Sequence, residues 1–261
     1  IYEDDNVLAF LDINPHAKPK LTLKDAKAQK QMQALGKIAA EILKEIEKTL
    51  KAGITTEDVN KTAEKLMQQK KVKSALKSEL NFPKSISTSV NNVIASGVPS
   101  DSQKLESGDI LKINLVLSED KESKDNKDNK DKNYLIETTK SFVIENGSLL
   151  TNRLMQTAKE VTEQALKAIK PNAKIGDIGH QIQIYMAKNK NFSIIKDLCG
   201  HGIGSSYCED TYQIKNEGTQ DLGLSLQPGM TFTVEPVVTA GKQSIITQDD
   251  NSIATKDKSL S

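Results

Sequence analysis

Cysteine, histidine and long apolar runs are all in short supply in this chain, and each shortage removes a class of protein. Two cysteines among 261 residues, Cys199 and Cys208, cannot build a disulfide framework, which fits a reducing compartment. No stretch approaches the ~18 consecutive apolar residues that mark a membrane span, and no charged-then-apolar leader opens the sequence. No membrane partner is therefore expected, and a cytoplasmic location is. Charge of one sign is missing as well. Lys+Arg 36 against Asp+Glu 35 gives a formal net charge of +1, so no global field draws nucleic acid to the chain. Its lysines are interspersed with acids, as on solvated helix faces. The length suffices to bury a sizeable core as one domain. Of the three histidines, His16 stands alone in a loop and His180 lies near the start of a helical stretch. Both read as structurally neutral.

His201 differs because of its neighbours. The stretch Leu198-Cys199-Gly200-His201-Gly202-Ile203-Gly204 and the run Met230-Thr231-Phe232-Thr233-Val234-Glu235-Pro236 each set one metal-competent side chain among small or apolar residues. A carboxylate in so apolar a run is costly to bury without a partner. A metal ion is one natural partner, since histidine and glutamate both ligate zinc, manganese and iron. A Glu–Lys pair and a backbone-satisfied His would serve equally well, and these two segments alone do not choose. The glycines around His201 let the backbone approach the site closely, but no following helix and lysine complete a phosphate loop.

Periodicity organises the rest. Thr22 and Asp25 have capping-box spacing, and Leu35, Ile38, Ala39, Ile42, Ile46 and Leu50 line one helical face up to Gly53. Thr55 and Asp58 open a second helix that runs to about Lys70. Isoleucine and valine enrichment predicts strands over residues 86–90 and 110–117. A third strand is read over 135–143. Lys112, Asn114 and Val116 share one face of the second strand, and Glu137, Thr139 and Ser141 share one face of the third. Further helices are expected over 149–169 and 176–188, and strands over 193–196, 230–239 and 243–247. Residues 119–133, which include KESKDNKDNKDKN, form a low-complexity charged loop expected to be disordered. It lacks the glycine turn and terminal glutamate of a calcium loop.

Seven blocks then carry a resemblance: FPKSISTSVNNVIASGVPS, LESGDILKINL, IETTKSF, IGDIGHQIQ, DLCGHGIGSSYCED, LQPGMTFTVEPVVTAGK and TKDKSLS. In this order and spacing they make residues 21–261 resemble the bacterial-type methionine aminopeptidases. The resemblance implies an α/β (α+β) pita-bread fold, a curved antiparallel sheet covered by helices. It also implies a cytoplasmic metallopeptidase whose partners are N-terminal peptide substrates. Residues 1–20 stand apart: IYEDDNVLAFLDINPHAKP resembles the early strands of histidine-triad nucleotide-binding proteins, without their histidine-rich motif. That piece is expected to be a fusion scar or stray strand.

In the family, two Asp, one His and two Glu hold two divalent metals. Carried over, the positions fall on Asn114, Glu137, His201 and Glu235, and the fifth would lie just past Ser261. The last strand is expected to be missing with it, leaving a sheet edge open to self-association. Ser96 and Cys208 take the places of two substrate-contacting histidines, Ser87 that of a Cys and Asn251 that of a Trp. Phe82 and Tyr207 keep the aromatic character of the substrate lining. Four carboxylates would neutralise two divalent ions, and only Glu137 and Glu235 remain. At most one divalent ion (Mn, Co, Fe or Zn) is expected, held by Glu137, His201 and Glu235 with one open position, or none. Glu137 also reaches roughly 1.5 Å further than the expected Asp, against a ligand-distance tolerance of about 0.2 Å. The expectation is an impaired relative that removes N-terminal methionine weakly or not at all, a pseudoenzyme. The alternative is a working mononuclear metalloaminopeptidase, with His201 and Glu235 as its catalytic pair.

Overall fold

The computed structural model describes residues 23–120, 133–209 and 212–261. The N-terminal piece with His16, Thr22, and residues 121–132 of the charged insertion lie outside the described residues.

The elements run α1 (Ala26–Glu47), α2 (Thr56–Lys70), β1 (Val72–Ser74), α3 (Ala75–Leu80), β2 (Ser87–Val90) and β3 (Val93–Ala95). Next come β4 (Ile110–Glu119), β5 (Leu135–Val143), α4 (Leu149–Lys167) and α5 (Ile175–Lys188). The final third holds short strands: β6 (Ser193–Ile194), β7 (Cys199–His201), β8 (Gln213–Lys215), β9 (Val238–Thr239), β10 (Ile245–Thr247) and β11 (Ile253–Thr255).

Local chemistry explains where the first helices begin. Asp25 is itself the N-cap of α1, its carboxylate accepting from the Ala28 amide at 2.8 Å. The sequence placed it at the third position of a box opened by Thr22. A short carboxylate one residue ahead of the helix reaches the free amides of the first turn directly, and this wins. Helix α1 stops at Glu47, so Leu50 joins the core from the turn beyond. Helix α2 has the capping box expected of Thr55 and Asp58: the Thr55 amide donates to Asp58 Oδ2 at 2.9 Å and the Asp58 amide to Thr55 Oγ1 at 3.0 Å.

Strand β4 is the spine. It pairs along one edge with β5 over nearly its whole length, and along the other with β2 at its start and β1 at its end, all antiparallel. Ile113, Leu115 and Leu117 are fully buried, and α1 packs across β4 and β5. The register sets Lys112 opposite Ser141, Asn114 opposite Thr139 and Val116 opposite Glu137. Directly paired residues share a face, so the two polar stripes seen in the sequence become one polar wall.

The run over 230–239 is where the sequence misleads. Only β9 is regular strand; the residues before it form one isolated bridge, Gly202 to Phe232, just past β7. The His201 amide donates to the Thr233 hydroxyl instead of a carbonyl, at 2.9 Å, and Pro236 has no N–H to give. Threonine hydroxyls compete with the ladder, and proline interrupts it. Among the described residues, no helix is long and apolar enough to cross a membrane.

Candidate metal centre

Three elements converge on one point. Strand β5 presents Glu137 from the polar wall, β7 presents His201, and the irregular run after Gly229 presents Glu235. One ligand atom from each lies within 4.8 Å of the others. His201 Nε2 is 3.4 Å from Glu137 Oε2 and 3.8 Å from Glu235 Oε1. Ligands about 2.0–2.2 Å from a tetrahedral ion stand about 3.3–3.6 Å apart, so the His201–Glu137 separation suits one ion and Glu235 stands slightly further out. Glu137 Oε2 and His201 Nε2 are both buried and neither has a hydrogen-bond partner. Two orphaned, converging, buried ligand atoms fit a cation between them. Two carboxylates balance one divalent charge and would leave a second uncompensated.

The residues around the trio fix it in place. His201 Nδ1 lies 3.1 Å from the Gly202 carbonyl, and donation there turns Nε2 toward the carboxylates. The Thr233 hydroxyl accepts from the His201 amide and donates to Glu235 Oε1, so one side chain sets two ligands. Gly200 makes this closeness possible: a Cβ there would stand 1.9 Å from the Thr233 carbonyl oxygen. Asn216, fully buried, donates through Nδ2 to the Glu235 carbonyl at 3.0 Å and also to the carbonyls of Ile195 and Leu198. Sequence reasoning singled out neither Thr233 nor Asn216. A threonine two residues before Glu235 in an alternating run was a usable signal for the first; nothing local marks the second.

Electrostatics agrees with the geometry. Burial lowers the His201 pKa, but the close approach of Cys208 and Glu137 and the charges of Glu137 and Glu235 outweigh it and push it up to about 11. A field that holds a proton so firmly also holds a cation. Glu235 keeps 38 % of its side chain open, yet protein surrounds it closely enough that burial, then the charge of Glu137, raises its pKa.

Of the other residues named from sequence, Asn114 and Tyr207 join the centre. Asn114 Nδ2 donates to Glu137 Oε1 at 2.6 Å and the Tyr207 hydroxyl to the same oxygen at 3.1 Å. The Tyr207 ring lies 4.5 Å from the His201 ring, tilted by 51°. Cys208 is exposed beside His201. Ser96 is exposed just past β3 with φ +57°, and Phe82 packs against the core; neither shares a hydrogen bond with the trio. Ser87 is buried on β2 and Asn251 is exposed in the turn between β10 and β11.

Comparison with known proteins follows the same lines. Residues 30–254 match the family model described as metallopeptidase family M24. The methionine aminopeptidase of Buchnera aphidicola from Schizaphis graminum is 36% identical over 233 residues, covering 89% of this chain and 84% of the relative. The crystal structure of methionine aminopeptidase from Rickettsia prowazekii aligns with a TM-score of 0.81 at 33% identity, over 92% of both chains. That of Thermotoga maritima aligns with a TM-score of 0.83 at 27% identity, over 92% of this chain and 91% of that one. The helices over antiparallel sheets described above are thus the pita-bread fold, and the chain belongs to metallopeptidase family M24, among the methionine aminopeptidases.

Proposed function

We propose that the chain is a one-ion metalloaminopeptidase of low turnover, releasing methionine from the N-termini of peptides in the cytoplasm. The observation that carries this reading is the pair of orphaned buried atoms, Glu137 Oε2 and His201 Nε2, converging with Glu235. Those three residues would hold the ion. A divalent ion supplies Lewis acidity toward a peptide carbonyl and lowers the pKa of water.

The chain's own groups do the rest. Thr233 ties down Glu235 Oε1, so Oε2 is the atom that takes up a proton from the attacking water. Glu235 is the member of the trio most open to solvent, which suits it to accept and return that proton. Phe82 and Tyr207 offer aromatic surface to the methionine side chain, and Ser96 and Cys208 offer short polar groups to the peptide. Loss of an oxyanion donor costs about a hundred- to a thousandfold in rate, and two substrate positions carry such small groups here. Low turnover is the consequence.

The test is methionine release from a Met-Ala-Ser peptide with Mn(II) or Co(II) added. Slow release that stops with a chelator and in Glu235→Ala is expected. Undetectable release from a chain that still binds the ion would favour a non-catalytic peptide binder, and release indifferent to chelation would overturn the metal reading.

A further inference from the structure

The fold treats the two carboxylate oxygens of Glu137 differently. Oε1 accepts two hydrogen bonds, from Asn114 Nδ2 at 2.6 Å and from the Tyr207 hydroxyl at 3.1 Å. Oε2 accepts none, although it is buried, and faces His201 Nε2 at 3.4 Å. The orientation of the Asn114 amide follows from chemistry: the flipped amide would press Oδ1 against a carboxylate oxygen. In the orientation that remains, Asn114 Oδ1 is buried without a partner, so the amide is set by its donor end alone.

We infer that Asn114 and Tyr207 are positioning residues that commit Glu137 to a single open oxygen, Oε2, and thereby close the centre to a second divalent ion. The inference rests on the one-ion reading above and gives it a structural cause. A carboxylate that bridges two cations through both its oxygens offers one to each. Here the far oxygen already carries an N–H and an O–H, whose hydrogens point where a second cation would have to sit. Both donors come from elements that cannot easily withdraw. Asn114 lies in the middle of β4, between β2 and β5, with Ser87 and Thr139 as its cross-strand partners. Tyr207 is held by the fold-back of residues 204–209, where the Leu135 amide donates to the Gly204 carbonyl at 2.7 Å and the Glu209 amide to the Gly202 carbonyl at 3.1 Å. The buried Lys24–Glu209 pair closes that fold-back. The same tyrosine ring lies against His201, so it steadies two ligands at once.

Asn114→Asp is the sharp perturbation. It keeps the shape, turns a donor into an anion and brings two carboxylates within hydrogen-bond distance, an arrangement relieved by a shared proton or, with Mn(II) present, by a cation between them. Asn114→Leu and Tyr207→Phe remove one donor each without adding charge.

The experiment is calorimetric titration of the full chain and these variants with Mn(II) alone, with thermal unfolding to confirm that each is folded. The inference expects one equivalent in the wild type and two in Asn114→Asp, the latter with a Mn(II)-dependent rise in Tm. Asn114→Leu and Tyr207→Phe should keep one equivalent with affinity lowered about 10- to 100-fold, as when groups that orient a metal ligand are removed. Two tight equivalents in the wild type, or one in Asn114→Asp with Tyr207→Phe as tight as wild type, would overturn the inference and leave the metal centre standing. No Mn(II) binding by the wild type would overturn both. Tyr207→Phe is the safeguard if Asn114→Leu fails to fold.

Discussion

Gly200→Ala puts one methyl group into the narrowest gap of the centre. The new Cβ would lie 1.9 Å from the Thr233 carbonyl oxygen and 2.6 Å from its carbonyl carbon, both backbone atoms that cannot rotate away. An ordinary carbon–oxygen contact needs about 3.4 Å, so β7 must retreat from residue 233 by about 1.5 Å. Two hydrogen bonds span that gap, Thr233 amide to His201 carbonyl and His201 amide to Thr233 hydroxyl, both 2.9 Å. Losing them costs about 1 kcal/mol each, and overpacking adds about 1–3 kcal/mol. The sum, about 3–5 kcal/mol, is a large part of the roughly 5–15 kcal/mol that holds a typical domain folded. The centre suffers more than the fold, because His201 rides on the displaced strand while ligand distances tolerate only about 0.2 Å. Urea unfolding with and without Mn(II) measures both effects. Gly53→Ala is the control: its φ of +91° strains any side chain, but nothing lies within 4 Å of the new Cβ. Gly53→Ala should cost about 1 kcal/mol and leave Mn(II) affinity alone. A Gly200→Ala chain within about 1 kcal/mol of wild type, with unchanged Mn(II) affinity, would refute this reasoning.

Thr233→Val keeps the volume of a buried residue but leaves the His201 amide without its partner and frees Glu235 Oε1. Stability should fall by about 1–3 kcal/mol and Mn(II) affinity by about 10- to 100-fold; equal affinity in the calorimeter would show that the hydroxyl sets neither ligand. Lys112 tests the polar wall by pH. Its ammonium is buried with hydrogen bonds to the Asn91 carbonyl (2.8 Å) and the Ser261 carbonyl (2.6 Å), and burial pulls its pKa from 10.5 down to about 7. Between those values the unfolded chain binds the proton and the folded chain does not, so this group makes stability rise with pH across the window. The drop from 10.5 to about 7 sets a ceiling of about 5 kcal/mol. Lys112→Met should remove that rise, so the stability of wild type relative to variant grows from pH 7 to 10.5. A difference in unfolding free energy that stays constant over this range would contradict it.

The long elements are legible in the sequence itself. The capping box at Thr55 and Asp58, the apolar face of α1 and the strands β4 and β5 announce themselves because a helix or strand writes the burial of its own face into its spacing. The resemblance of the His201 and Glu235 blocks, together with Glu137, likewise named the three residues that converge. Of the short elements, β2, β6 and β10 fall within expected strands, but β1, α3, β3, β8 and β11 span three to six residues, too few for periodicity to accumulate. The run over 230–237 reads as strand, yet its pairing is diverted by a threonine hydroxyl.

What only the tertiary structure decided is the hydrogen bonding of the centre. Asn114 reads from sequence as a neutral stand-in for a ligand, whereas in the fold its amide donates to Glu137, 23 residues along the chain. The link from Tyr207 to Glu137 spans 70 residues, and that from the His201 amide to Thr233 spans 32. Periodicity reports which face of an element is buried. It carries no record of which polar atom on another element lies within hydrogen-bonding reach, because that is fixed by how strands and loops pack. Which residues converge was therefore legible in the sequence, and the hydrogen bonds that surround them were decided by the fold.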